Sequence, residues 1–263
     1  MTEVAPPGPS VGPSLGPFLK LEVFDDADAV GRRAADLIAD LVGTNASAVV
    51  GLATGSTPEP AYRELVRRCD GGELDLSAVT VFLLDEYVGL PRDHPSSYHS
   101  TICRELTDLV GIPNVAVHSP GVGPTSDTDP GVAAQEYEAA IDAAGGIGLQ
   151  LLGIGRNGHL AFNEPGTPFD APTRVADLAV QTRRDNARFF ASIDEVPRQA
   201  ITQGPATILR ARCLVLLATG EAKATAVRAA LEGPVSPSCP ASLIRRHADV
   251  VVVLDRAAAS LLD

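Results

Sequence analysis

The chain is 263 residues long, 45% hydrophobic and 21% charged, which suits one large α/β domain better than two small ones. Its 21 Lys and Arg against 33 Asp and Glu give a formal charge of −12, which argues against nucleic acid as a partner but leaves room for a small anion held by a few placed cations and amides. No apolar run reaches the roughly 20 residues that cross a bilayer, no basic-then-apolar leader opens the chain, and Cys69, Cys103, Cys213 and Cys239 lack C-x-x-C or zinc-type spacing, so no membrane partner and a cytoplasmic location are expected.

Met1 to Phe18 is so rich in Pro, Gly and Ser that a disordered tail is expected there, leaving one α/β domain over 19–263. An amphipathic helix is predicted over Ala27–Leu41, an apolar strand over Ala48–Ala53 and a further helix from Pro58. The connecting turn, GLATGSTP from Gly51 to Pro58, offers glycine backbone amides, the hydroxyls of Thr54, Ser56 and Thr57, and a helix N-terminus. Such a turn suits a phosphate, and it reads equally well as an ordinary N-cap. No Lys follows the glycines and the spacing is not G-x-G-x-x-G, so a nucleotide is disfavoured.

A second strand, Ala78–Leu84, runs directly into Asp85 and Glu86. Neighbours on an extended chain point to opposite faces, so one carboxylate can enter a cleft; Asp85 is the choice. A sheltered carboxylate at a strand end can take a proton from an acidic C–H, whereas solvated acids or a helix cap are the plain alternatives. His94 and His99 bracket the turn HPSSYH, with no carboxylate arrangement to complete a zinc site, so capping and packing are favoured over metal.

Residues 113–130 read as a Pro, Gly, Ser and Thr-rich surface loop before a helix over Val132–Ala143, then a third strand over Leu149–Ile154. That strand feeds LLGIGRNGHLAFNEPG, Leu151 to Gly166, which carries Gly155, Asn157, Gly158, His159 and Glu164. It reads either as an active-site loop at a strand's carboxyl end or as a tight turn whose His simply packs. Residues 167–199 are irregular and charged; Arg174, Arg183, Arg184 and Arg188 belong either to a lid-like flap or to a solvated helix. Strands over Cys213–Ala218 and Val250–Leu254 complete the alternation. The pattern predicts a single α/β domain: a mostly parallel, doubly wound, Rossmann-like sheet with helices on both faces.

Taken in order, GLATGSTP, FLLDEYVGLPRDHPSSY, LLGIGRNGHLAFNEPG, DNARFF and TGEAKA resemble the glucosamine-6-phosphate deaminase (isomerase) family over Leu21 to Asp255. DEYVGL with HPSSY, and NGHLAFNEP, are specific to that family, while the related 6-phosphogluconolactonases usually differ around the Gly-His pair. The resemblance implies conversion of glucosamine 6-phosphate and water to fructose 6-phosphate and ammonia, without metal or organic cofactor. By position it assigns Asp85 as the base between carbons 2 and 1, His159 to ring opening and Glu164 as the carboxylate grouped with it. It assigns the phosphate to Thr54, Gly55, Ser56 and Thr57 with Arg188 and Lys223 as cations.

Two positions depart from the regulated members. Asn157 stands where they have an Asp, leaving an amide to orient the His159–Glu164 pair by hydrogen bonds. Arg174 matches an effector-binding Arg, but Ala176 replaces a Lys and Thr167 and Pro168 replace serines, so little or no activation by N-acetylglucosamine 6-phosphate is expected. A homo-oligomer is possible, and monomer through hexamer stay open. A phosphogluconolactonase-like hydrolase and a catalytically silent sugar-phosphate sensor are the alternative readings.

Overall fold

In the computed structural model, which describes Ser10–Val11 and residues 19–263 apart from the Asp185 side chain, short apolar runs alternate with amphipathic helices. The first half runs β1 (Ser10–Val11), β2 (Leu19–Phe24), α1 (Ala27–Thr44), β3 (Val49–Leu52), α2 (Glu59–Asp70), β4 (Thr80–Leu83), β5 (Asp85–Tyr87), α3 (Tyr98–Ile102) and β6 (Val117–His118). The second runs α4 (Pro130–Ala143), β7 (Leu149–Gly153), β8 (Arg174–Asp177), α5 (Val180–Asn186), β9 (Gln199–Thr202), α6 (Pro205–Leu209), β10 (Cys213–Ala218), α7 (Ala224–Leu231) and β11 (Val250–Asp255). Most of the tail expected over Met1–Phe18 lies outside the described residues; Ser10–Val11 pair antiparallel with β2.

The central sheet has the order β1-β2-β11-β10-β7-β3-β4-β6, and every neighbouring pair except β1–β2 is parallel. Helices cover both faces, so the strands need apolar residues on both sides. In β11, Val250, Val252 and Leu254 join one buried cluster with α7, while Val251 and Val253 join the other with α1 and α2. The mostly parallel, doubly wound arrangement is the one the alternating pattern predicts. Asp26 begins α1 by accepting the Ala29 N–H, and Asp129 begins α4 by accepting the N–H groups of Gly131 and Val132.

A second sheet, β5-β9-β8, is antiparallel and was not foreseen. The chain leaves the parallel sheet at Leu84 and enters β5 at once, with Asp85 opposite Thr202. The strand on the far side of β9, β8, lies inside the charged stretch read as a lid or solvated helix, and only α5 within that stretch is helical beyond single turns. Likewise β6 lies inside the stretch read as surface loop; Val117 is buried and His118 stacks on Phe82 at 4.5 Å. Among the described residues no helix is long and apolar enough to cross a membrane.

Parallel pairing has one consequence for position. β4, β3, β7 and β10 are consecutive neighbours whose carboxyl ends share one edge. Asp85, the 54–57 turn, the loop after Gly153 and the turn bearing Lys223 all follow those ends, where ligands of open α/β sheets bind.

Candidate active site

At the end of β4 two adjacent carboxylates part ways. Glu86, 2% exposed, accepts the N–H groups of Tyr98 at 3.1 Å and His99 at 2.8 Å, its neighbour Tyr87 N–H at 3.0 Å and the Ser119 hydroxyl at 3.2 Å. It anchors the first turn of α3, where Ser97 also caps by accepting the Ser100 N–H. Asp85, 9% exposed, has no such donors among the described residues; burial first and the charge of Glu86 second push its carboxyl up to about 8. Around this end stand Tyr87 and Tyr98, whose hydroxyls lie 3.1 Å apart, with Phe162 and Phe190 packed on Tyr87. His94 accepts the Ser96 N–H, and His99 is buried beside Cys103.

After β7 the chain turns on glycines. Gly155 carries no Cβ because one would lie 2.2 Å from the His159 ring, and Gly158 takes φ +83°. Asn157 sits between the other two polar side chains: its Nδ2 donates to Glu164 Oε2 at 2.8 Å, and its Oδ1 lies 2.7 Å from His159 Nδ1. A carboxylate only accepts, so the amide must turn its NH2 to Glu164 and its oxygen to His159. His159 Nδ1 then carries the hydrogen, leaving Nε2 as the free lone pair. Glu164 also accepts the Thr182 hydroxyl at 2.9 Å. With His159 3.7 Å away and these two donors, its carboxyl is held down to about 2.

The 54–57 turn precedes α2, whose N-terminus lies behind Pro58, and Gly55 adopts φ +108°. Lys223, in a single turn after β10, donates to Ile154 O at 2.6 Å, so it is tied to the end of β7. Burial and the nearby Arg156 guanidinium lower its pKa. Arg188 rides a separate short turn, with its guanidinium 4.7 Å over the Phe189 ring. That turn is seated on the HPSSY loop through Ser96, whose hydroxyl donates to Phe189 O at 2.5 Å.

Asn157, His159 and Glu164 thus form one hydrogen-bonded cluster, and Lys223 joins the strand that bears it. Asp85 connects to the same loop through its cross-strand partner Thr202, whose Oγ1 accepts the Phe162 N–H at 3.2 Å. The 54–57 turn shares the edge, whereas among the described residues no hydrogen bond joins Arg188 to it. Sequence reading missed Arg156, Thr182 and Thr202. Arg156 carried a signal as the cation inside GRNGH; the two threonines carried none, since they matter only through partners far along the chain. Among the described residues no three His, Cys, Asp or Glu side chains are grouped to hold a metal ion.

Comparison with known proteins identifies the family. Residues 25–253 match the family described as glucosamine-6-phosphate isomerases/6-phosphogluconolactonase. A glucosamine-6-phosphate deaminase of Pseudarthrobacter chlorophenolicus is 49% identical over 93% of each chain, and one of Corynebacterium urealyticum is 53% identical over 89% of this chain and 88% of its own. Among solved structures, a monomeric glucosamine-6-phosphate deaminase superposes with a TM-score of 0.87 at 41% identity, over 93% of this chain and 99% of that one. A 6-phosphogluconolactonase of Leishmania guyanensis, 24% identical over 94% and 99% with a TM-score of 0.72, shares the fold. The chain belongs to the glucosamine-6-phosphate isomerase/6-phosphogluconolactonase family.

Proposed function

We propose that this protein is a glucosamine-6-phosphate deaminase, converting glucosamine 6-phosphate and water to fructose 6-phosphate and ammonia. The observation that carries the reading is a buried carboxylate that follows β4 and, on the same edge of the sheet after β7, an imidazole and a carboxylate held by one amide. Relatives named for this activity are about half identical over nearly the whole chain, which favours it over the lactonase that shares the fold at 24% identity.

In this reading the phosphate rests on Thr54, Gly55, Ser56 and Thr57, with Lys223 and Arg188 supplying charge. His159 Nε2 takes the proton of the anomeric hydroxyl and returns one to the ring oxygen, opening the ring to the aldehyde. Asp85 removes the proton from carbon 2 and delivers it to carbon 1, giving the enolamine and then the 2-iminium. Water adds at carbon 2 and ammonia leaves, so one water is consumed for each ammonia released.

With burial holding its carboxyl up to about 8, Asp85 keeps its proton at neutral pH until substrate binds. The substrate's ammonium at carbon 2 supplies the opposite charge that ionises it, so the base forms where it is needed. Glu164 and Asn157 hold His159 in the tautomer that leaves Nε2 free.

The test is ammonia release from glucosamine 6-phosphate by purified protein and by Asp85→Asn. The variant is expected to lose turnover by about a thousandfold or more while binding substrate within about threefold of the parent. Hydrolysis of 6-phosphogluconolactone without ammonia release would establish the lactonase instead. Tight binding of either sugar phosphate with no turnover would mark a sensor.

A further inference from the structure

The turn that presents Glu164 is gripped on both sides by one guanidinium. Arg174, which opens β8, donates from Nη1 to Asn163 Oδ1 at 2.6 Å and from Nη2 to Thr167 Oγ1 at 3.4 Å. Between those two residues the turn is closed by the Thr167 N–H on Glu164 O at 3.0 Å.

Asn163 is fully buried, and its Nδ2 donates to Leu160 O at 2.9 Å and to Gln203 O at 2.8 Å. With both amide hydrogens engaged, Oδ1 is the face left for Arg174. Gln203 follows Thr202, the residue opposite Asp85, and its own N–H donates to Leu84 O at 2.7 Å. One connected set of hydrogen bonds therefore runs from Arg174 through Asn163 to the residue before Asp85.

Both acceptors of Arg174 are neutral, and among the described residues no carboxylate pairs with it. Half-burial lowers its guanidinium pKa, the mark of a charge held where it is poorly solvated. A lone half-buried cation is a costly way to brace a surface turn. Its planar fork nevertheless sets a separate nitrogen on each of two acceptors, where an ammonium has one nitrogen at the end of a flexible stem.

We propose that Arg174 is a positioning residue, whose fork fixes the Asn163–Thr167 turn so that Glu164 meets Asn157 and Thr182 and thereby orients His159. The proposal rests on the deaminase reading for its consequence in turnover, but not for its effect on Glu164.

The experiment compares the parent with Arg174→Gln and Arg174→Lys, by ammonia-release kinetics and by the ¹³C resonance of the Glu164 carboxyl during titration. In R174Q, kcat is expected to fall by about tenfold or more with KM within about threefold, and R174K to recover part of the loss by reaching one acceptor. Between about pH 5 and about pH 3 the Glu164 carboxyl should stay ionised in the parent but begin to protonate in R174Q, because its donors no longer meet it.

A Glu164 titration identical in all three proteins overturns the proposal, whether turnover is unchanged or falls together with the melting temperature. If R174Q does not fold, an intermediate Glu164 titration in R174K supports the proposal and a parental one refutes it. If the parent releases no ammonia, the deaminase reading fails and the carboxyl titration alone decides the role of Arg174.

Discussion

Asp85 and Glu86 are adjacent carboxyls in the same buried strand, yet among the described residues four donors surround Glu86 and none Asp85. Glu86 is satisfied by the amides at the start of α3 and by Ser119, so its ionised form has partners. Asp85 is left to burial and to its neighbour's charge, which keeps its carboxyl protonated up to about 8. The unfolded chain gives up that proton near pH ~3.9, so between the two values the folded state binds more protons and stability falls as pH rises. Asp85→Asn removes the group that titrates. Melting curves taken from about pH 5 to about pH 9 should therefore decline less steeply in the variant, and above about pH 8 it should melt at or above the parent. Parallel declines would mean that Asp85 is not held neutral in the folded protein. The sequence made the choice of Asp85 over Glu86 possible through the alternation of a strand, but the donors that settle Glu86 come from Tyr98, His99 and Ser119, which no local pattern points to.

At the scale of elements, the site depends on how tightly the loop after β7 folds back on itself. The Gly155 N–H donates to His159 O at 2.9 Å, and the Gly158 N–H to Gly155 O at 3.0 Å, so His159 lies against the glycine it follows. Gly155 does not need a positive φ; it needs the space that His159 fills, since an added Cβ would sit 2.2 Å from the ring. Gly155→Ala should thus displace the imidazole from Asn157 rather than unfold the loop. We expect kcat to fall by about tenfold or more, with a stability loss of about 1–3 kcal/mol, the usual range for overpacking. Kinetics and denaturant unfolding on the same sample check this, and an unchanged kcat would show that the ring has room to move. From its residues this loop reads either as an active-site loop or as a tight turn whose His packs, and the family resemblance is what chose between the two. The small β5-β9-β8 sheet was not legible: its strands have three or four residues each, and the partner of Asp85 lies at Thr202. Its apolar positions are too few to show a period, and only the fold brings them together.

For the whole molecule, the question is whether occupancy elsewhere alters the site. Effector control by a sugar phosphate needs a cation free to bind it and donors around it. The family resemblance sets Arg174 at the position of an effector-binding Arg, and its guanidinium is engaged with Asn163 and Thr167 inside the subunit. Ala176 supplies no charge and Pro168 no donor. Binding an anion there would have to break the bonds that hold the Glu164 turn, so an effector would oppose the arrangement that turnover requires. Such a ligand would bind better to the form without those bonds and would shift the population away from turnover. The expected result is hyperbolic saturation by glucosamine 6-phosphate, unchanged within about twofold by saturating N-acetylglucosamine 6-phosphate. A sigmoidal rate curve made hyperbolic by that ligand, with elution as a larger assembly, would show that the Arg174 bonds yield and that neighbouring subunits complete the effector site.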